Sequence, residues 1–310
     1  MKVIRNTDVK RHLIKIVENM TVIEQLKQLD LSEYPISDLD NLLTKLGGLA
    51  IMLTDYHDKA EYPKLIERAV NNSKENSEYN TVSRISYKPA GFNKSYLRAS
   101  TPKNTMFYGS VISDDLKGEK KKYARIVGAS EASSLMRNSD VIEGWSHMTF
   151  GKWQVVENIS LATIIDPTKK YEQPYLNELA AKYLAFLEEV PPDIKENTLT
   201  CLAFLSQEFS KYVSSGNNHE YLISSKFTEI FTNTSNYDGI IYPSVQAKGY
   251  GLCVAIHPRA MNKLKLIRVL KCKIIKTLGD DGENHFRLDN QKNCLVEDGA
   301  ETFELKDIPK

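Results

Sequence analysis

Long apolar runs are missing from this chain. Its most apolar stretches, around Leu49 to Leu53 and Cys201 to Leu205, are short, so nothing approaches the length a membrane-spanning helix needs. Cysteine is scarce and scattered: Cys201, Cys253, Cys272 and Cys294 form no CxxC pair, which excludes a disulfide framework and a ribbon-type zinc site. The six histidines, His12, His57, His147 and His257 among them, never stand at ligand spacing from Glu or Cys. No excess of either charge exists, with 41 Lys and Arg against 40 Asp and Glu, so no global field advertises nucleic acid or a membrane surface. GxGxxG, Walker and GxSxG motifs are all lacking, which removes support for a Rossmann site, a P-loop or an α/β-hydrolase elbow. The first residues, MKVIRNTDVKRHLIKI, interrupt their apolar positions with charges and offer no cleavable signal. A cytoplasmic protein with free thiols and no metal is expected.

What is present is a change of texture along 310 residues. From residue 7 to about 70 the pattern is helical: Leu13, Ile16, Val17, Met20, Ile23, Leu26 and Leu29 recur at three- and four-residue spacing. A second helix is expected through Leu42, Leu43, Leu46, Leu49 and Leu53, and Pro63 is placed to open a third. Asn71 to Asn80 is polar and aperiodic and reads as a linker. Short mixed segments follow (TVSRISY, SYLRAS, NTMFYGSVI, ARIVGAS), then strands from Trp153 to Ile165. Helices are expected over Pro174 to Val190, Ile194 to Val213 and Tyr221 to Phe231. Leu264 to Ile275 is a β-rich run, and the polar tail after Thr277 ends in an edge hairpin. This irregular mixture predicts an α+β class with a split, mixed sheet. The domains read as a helical region (1–70), a linker (71–80), a catalytic-type domain (81–276) and a hairpin tail (277–310).

The chain is organised around NYDGIIYPSVQAKGYGLCVAIHP, Asn236 to Pro258. A short apolar strand (Ile240, Ile241, Tyr242) meets a corner at Pro243 and Ser244. A reversal through Gly249 and Gly251 leads to a second strand, Leu252 to Ile256. Pro243 fixes its own φ, so Ser244 is aimed by a stiff corner. Upstream stand Arg84 in a β-like segment, Arg98, Tyr108 and Glu131, the last at a small-residue strand-to-helix junction, with Glu143 in IEGWS as the reserve carboxylate. Two arginines suit phosphate oxygens through their planar forks. A tyrosine face suits a flat heteroaromatic ring. A lone carboxylate suits an oxocarbenium-like centre at a sugar's anomeric carbon. Each has an ordinary alternative: surface cations for the arginines, core packing for Tyr108, a helix first-turn acid for Glu131.

These residues together resemble the RES domain, a family named for its Arg, Glu and Ser. Gly239-Ile240-Ile241-Tyr242-Pro243-Ser244 is similar to the family's late Gly-Ile-x-Tyr-Pro-Ser motif, and Tyr221 to Phe227 is similar to the Tyr-x-x-Ser-Gln helix before it. Arg84 resembles the early arginine, and Leu97-Arg98-Ala99-Ser100 with Tyr108 resembles the second segment, with Leu97 in place of the usual Gly and Ser100 where Asn is common. About residues 81 to 272 are covered. The spacer Val111 to Ser130, with its basic run Lys117 to Lys122, is longer than in compact members.

The resemblance implies an ADP-ribosyltransferase-like fold and a cleft that takes NAD⁺ as substrate rather than as a bound cofactor, with inorganic phosphate as a possible co-substrate. It implies cleavage of the nicotinamide–ribose bond by phosphorolysis or hydrolysis, in a toxin held by a cognate antitoxin, often as a homo-oligomer, with no membrane and no nucleic acid. Arg84 and Arg98 would hold phosphates, Tyr108 would pack on nicotinamide, Glu131 would stabilise the ribose cation, and Ser244, beside Tyr242, would bond the ribose or carboxamide. Two other readings stand beside it: a protein ADP-ribosyltransferase, and a non-catalytic nucleotide-binding or interaction module.

Overall fold

Residues 18, 20–56, 64–73, 77–112, 123–138, 140–214, 216–235, 237–247 and 249–309 are described by a computed structural model. The class is α+β, with parallel and antiparallel strand pairs, and chain contacts divide it into two interleaved units. One comprises Met1–Thr54, Ala90–Thr105 and Leu161–Pro243; the other comprises Asp55–Pro89, Met106–Ser160 and Ser244–Lys310.

The first unit carries most of the helices. Helix α1 spans 20–28, and α2 is Ile36–Lys45, burying Leu39, Leu42 and Leu43. Helix α5 (Pro174–Glu188) buries Leu176, Ala180, Tyr183 and Leu187, the i, i+4 stripe of an amphipathic helix. Helix α6 (Pro192–Ser210) starts with Pro192 at a first-turn position, where the missing N–H costs nothing, and buries Cys201, Leu202, Leu205 and Phe209. In α7 (Leu222–Ser235) the buried Thr228 and Thr232 satisfy their hydroxyls on the carbonyls of Ser224 and Thr228, one turn back. Strand β5 (Ile159–Thr163) runs parallel to β6 (Gly239–Pro243), with Leu161 opposite Gly239. On the other side of β5, Thr163 N–H bonds Met52 O beside β1 (Leu53–Tyr56).

The second unit is an antiparallel sheet. Its strands are β2 (Leu65–Asn71), β3 (Phe107–Ile112), β4 (Gly144–Val155), β7 (Leu252–Ile256), β8 (Leu264–Leu278), β9 (Asn284–Leu295) and β10 (Lys306–Asp307), in the spatial order β7-β3-β2-β4-β8-β9-β10. One face is covered by α3 (Tyr123–Ala132), whose Ala129 packs with Met148, Phe150, Leu270, Cys272 and Ile274. A short helix, α4 (Ser134–Arg137), follows, capped by the Ser133 hydroxyl on Met136 N–H.

The helices expected after Pro174 and the strands at Trp153 to Ile165, Ile240 to Tyr242, Leu252 to Ile256 and Leu264 to Ile275 form as the sequence indicates. Three local expectations are corrected. The α2 helix stops at Lys45, because Gly47 and Gly48 follow and Gly48 takes φ 66°, so Leu49 and Leu53 belong to other structure. Leu65–Asn71 is a strand rather than a helix: its branched apolar residues pair on both sides, with β3 and β4. The VSRIS segment is a 3₁₀ turn, Val82–Ile85, rather than a strand. Pro63, His12 and the run Lys117 to Lys122 lie outside the described residues, as does the 7–17 part of the first expected helix.

None of the four cysteines is in a disulfide, and Cys201, Cys253 and Cys272 are buried. Burial pushes the Cys272 thiol up to about 12. Brief alkylation of the native protein near neutral pH is therefore expected to mark Cys294 first, with the other three labelled only after unfolding; peptide mass mapping reads this directly. No described helix is long and apolar enough to cross a membrane.

Candidate functional site

The serine motif ends β6, and its loop folds back on itself. Ser244 N–H bonds Gly251 O (2.8 Å) and Gly249 N–H bonds Ser244 O (2.8 Å), a closure that places Gly249 at φ 79°, where a side chain would strain the turn. The Ser244 hydroxyl, 2% exposed, donates to Glu131 Oε1 at 2.7 Å. Gln246 N–H donates to the same oxygen at 3.1 Å, and Ala247 N–H donates to Ser244 Oγ at 3.1 Å. Both the hydroxyl hydrogen and a lone pair of Ser244 are thus used, which fits a positioning role better than a nucleophilic one. Glu131 Oε1 is held by two donors, while Oε2 has no partner among the described residues. One carboxylate oxygen is fixed and the other is presented.

Glu131 sits in the last turn of α3, not at a strand-to-helix junction as the sequence indicates. The helix is fastened to β2 and β3 along its length. Arg125 Nε pairs with Glu67 at 2.9 Å, Ser110 Oγ donates to Ala124 O at 2.5 Å, and Asn71 Nδ2 donates to Ala132 O at 2.7 Å, beside Glu131. Small residues permit the approach: a Cβ on Gly128 would stand 3.3 Å from Ala69 Cβ, and one on Gly251 would stand 2.5 Å from Val127 Cγ2. Val127 is buried and β-branched, so it has no alternative rotamer to retreat to. Gly251→Val is expected to push α3 off β7, costing about 1–3 kcal/mol of stability, with a lower unfolding midpoint in urea as the readout. Glu143, the reserve carboxylate, is exposed ahead of β4 and takes no part in this cluster.

The arginines separate. Arg84 is exposed on its 3₁₀ turn, with its guanidinium 4.7 Å above the Tyr79 ring. Arg98 belongs to the first unit and is buried, donating to Phe209 O at 2.6 Å and Lys211 O at 2.9 Å and lying 5.1 Å over the Tyr221 ring. It closes the carbonyl end of α6, where a cation also meets the negative end of the helix dipole. Arg98→Ala is expected to cost about 2–4 kcal/mol of stability through the lost charged hydrogen bonds and two orphaned carbonyls, so thermal unfolding should accompany any activity measured on it. Tyr242 is buried in the same unit, 5.4 Å from the Phe209 ring.

Sequence reasoning missed Arg68. It interrupts the apolar pattern of β2, LIERAVN, by the same criterion applied to Arg84, and the misassignment of that segment to a helix concealed it. Arg68 Nη1 donates to the backbone oxygen of the half-buried Tyr108 at 2.7 Å, and the guanidinium lies 5.1 Å over the Phe107 ring. Its Nε is buried without a hydrogen-bond partner, and no described carboxylate pairs with it. Burial pulls it down to about 10. Its cross-strand neighbour on β4 is Gly151, and a Cβ there would fall 2.9 Å from Trp153 Nε1, a second buried donor without a partner. Two unsatisfied donors beside one glycine make this face of the sheet receptive to an acceptor or anion.

One cavity of about 470 Å³ in this unit lies between Trp153, Leu264, Leu266 and the turn Glu297 to Ala300, and contains none of the sequence-predicted site residues. No protein-family model matches the chain, and no curated protein matches it.

Proposed function

We propose that this protein is an NAD⁺-consuming enzyme of RES type, cleaving the nicotinamide–ribose bond by phosphorolysis or hydrolysis, as a toxin or defence effector. The observation that carries the reading is the double clamp on Glu131 Oε1 by Ser244 and Gln246, which leaves Oε2 available to a substrate. A carboxylate fixed in advance needs no reorganisation as positive charge develops nearby, which is how such a group lowers a barrier.

The chemistry asks little else of the protein. As the C1″–N bond of NAD⁺ breaks, its electron pair goes to the pyridinium nitrogen and neutralises it. The ribose carbon becomes oxocarbenium-like, facing Glu131. Phosphate or water then forms the new C1″–O bond, giving ADP-ribose-1″-phosphate in the first case and ADP-ribose, with release of a proton, in the second. Ser244 acts as the positioning residue that holds the carboxylate. Arg68 replaces Arg84 as the arginine offered to phosphate oxygens, since among the described arginines it is the one with a buried guanidinium N–H left without a hydrogen-bond partner. Arg98 keeps a supporting role at the end of α6, and Tyr108, whose carbonyl steadies Arg68, stays the candidate for the nicotinamide ring.

Expression in a bacterial host tests the reading. The wild-type chain is expected to slow growth and empty the NAD⁺ pool, and Glu131→Gln at equal protein level is expected to do neither. Unchanged NAD⁺ with the wild-type chain, alongside tight binding of NAD⁺ by the purified protein, would favour a nucleotide-binding module instead. Radiolabel carried from NAD⁺ onto host protein would favour an ADP-ribosyltransferase.

A further inference from the structure

A ligand-sized cavity opens in the second unit where the chain leaves β9. Lys152 stands opposite Arg268 and Trp153 opposite Leu266, so Ile267 is an extra residue in β8, a bulge that interrupts the ladder. The chain beyond β9 is tied to that bulge by Val296 N–H on Ile267 O at 3.2 Å. It then reverses through Glu297 to Ala300, closed by Ala300 N–H on Glu297 O at 3.2 Å with Gly299 at φ 73°. Val82 N–H on Glu301 O at 2.9 Å ties it down again. This turn, anchored at both ends, faces a floor of Trp153, Leu264 and Leu266, each less than a tenth exposed. The space of about 470 Å³ is within the range of small-molecule sites. Phe107 packs edge-on against Trp153 at 5.3 Å, which fixes the indole in advance of any ligand.

We propose that this cavity binds a small organic cation, an ammonium or similar group carried on an apolar, ring-bearing body. The lining divides by chemistry. Trp153, the two leucines and Val296 supply apolar surface, and an indole attracts both flat rings and cations. Glu297, Asp298, Asn262 and Lys265 supply the polar part. Lys265 answers Asp298 at 3.0 Å, whereas the Glu297 carboxylate and the Asn262 amide have no hydrogen-bond or ionic partner among the described residues. The charged lining residues thus leave one negative charge, which matches a monocation and opposes an anion. Neither Glu131 nor Ser244 lines this cavity. NAD⁺, an anion overall through its pyrophosphate, is disfavoured by the same charge, so the occupant is a different molecule from the proposed substrate.

Calorimetric titration of the full chain with three naphthalene probes, alike in shape and different in charge, tests this: naphthylmethylammonium, naphthylmethanol and naphthoate. The ammonium is expected to bind at one site per chain, about two- to fivefold more tightly than the alcohol, the advantage of a partly solvated ion pair. The carboxylate is expected to bind most weakly, and added salt to erode the ammonium's advantage. Glu297→Gln, at an exposed position, is expected to equalise ammonium and alcohol while leaving the alcohol's affinity unchanged. Ala300→Phe places a ring in the cavity and is expected to abolish binding of both, with circular dichroism checking the fold. Glu297→Gln keeps the proposal testable if the larger side chain disturbs the turn. An ammonium probe with no saturable binding up to its solubility limit overturns the proposal. So does an ammonium that binds no better than the alcohol, a Glu297→Gln protein that keeps the preference, or a folded Ala300→Phe protein that binds like wild type.

Discussion

Glu131→Gln is expected to reduce the rate of nicotinamide release from NAD⁺ by about 10²–10³-fold, the loss that follows when one preorganised electrostatic contact to a developing charge is removed. The substitution preserves shape, and a Gln oxygen can still accept from Ser244 and Gln246, so the loop from Ser244 to Gly251 is expected to keep its geometry. Binding of NAD⁺ should therefore change little while turnover collapses, the pattern of an interaction made chiefly in the transition state. Ser244→Ala makes a useful contrast. It removes one of the two clamps on Oε1 and leaves the Gln246 N–H, so the carboxylate is retained but is less well aimed. A smaller fall, about 10–100-fold, is expected, with the unfolding temperature close to wild type. Stopped-assay kinetics across NAD⁺ concentrations separate the two. If Ser244→Ala abolished turnover while Glu131→Gln retained it, the roles assigned here would be reversed.

Arg68→Met is expected to weaken NAD⁺ binding by about ten- to hundredfold while leaving the fold as stable or more so. The binding loss is that of charged hydrogen bonds to a phosphate, about 1.5–3 kcal/mol. The stability gain has a separate cause. Arg68 is a buried cation with no described acid beside it, and its contacts, the Tyr108 carbonyl and the Phe107 face, offset only part of its desolvation. Replacing such a charge by an apolar side chain of similar length stabilises by about 1–3 kcal/mol. The pH dependence gives a second signature. Burial lowers this guanidinium from its ordinary value to about 10, so the folded state binds fewer protons than the unfolded one between those two values. The burial penalty is present in full below about pH 10 and is relieved as pH rises past it, and stability rises with pH in that window. The difference in unfolding free energy between wild type and Arg68→Met is therefore expected to be flat from neutral pH to about 9 and to shrink above about 10. Chemical denaturation across pH measures it. A destabilised Arg68→Met protein with unaltered NAD⁺ affinity would make Arg68 a packing residue only.

Legibility in the sequence followed periodicity. The helices α5, α6 and α7 carry apolar stripes long enough to declare themselves, and β8 is a sustained run of branched residues. The pairing of Glu131 with Ser244 joins residues 113 positions apart, and the sequence marked both as candidates through the motif resemblance, with Glu143 as the reserve carboxylate. What periodicity could not supply was the identity of short elements. Leu65–Asn71 alternates poorly because its two faces are both covered, Arg68 and Phe107 on one and Glu67 with α3 on the other, so it read as helix. Reading that segment as helix left Arg68 out of the candidates, while Arg84, the early arginine of the sequence reading, is exposed and rests on Tyr79. Arg98 shows the converse limit: nothing local in SYLRAS reveals that its guanidinium closes the end of a helix 111 residues away.

The central claim is that Glu131, fixed by Ser244, serves cleavage of NAD⁺. The most direct measurement is product chromatography of NAD⁺ incubated with the purified full chain, with and without inorganic phosphate. Nicotinamide is expected, together with ADP-ribose-1″-phosphate where phosphate is supplied or ADP-ribose where water is the acceptor. NAD⁺ that binds yet stays intact in both buffers, with no ADP-ribose on any added protein, would contradict the account.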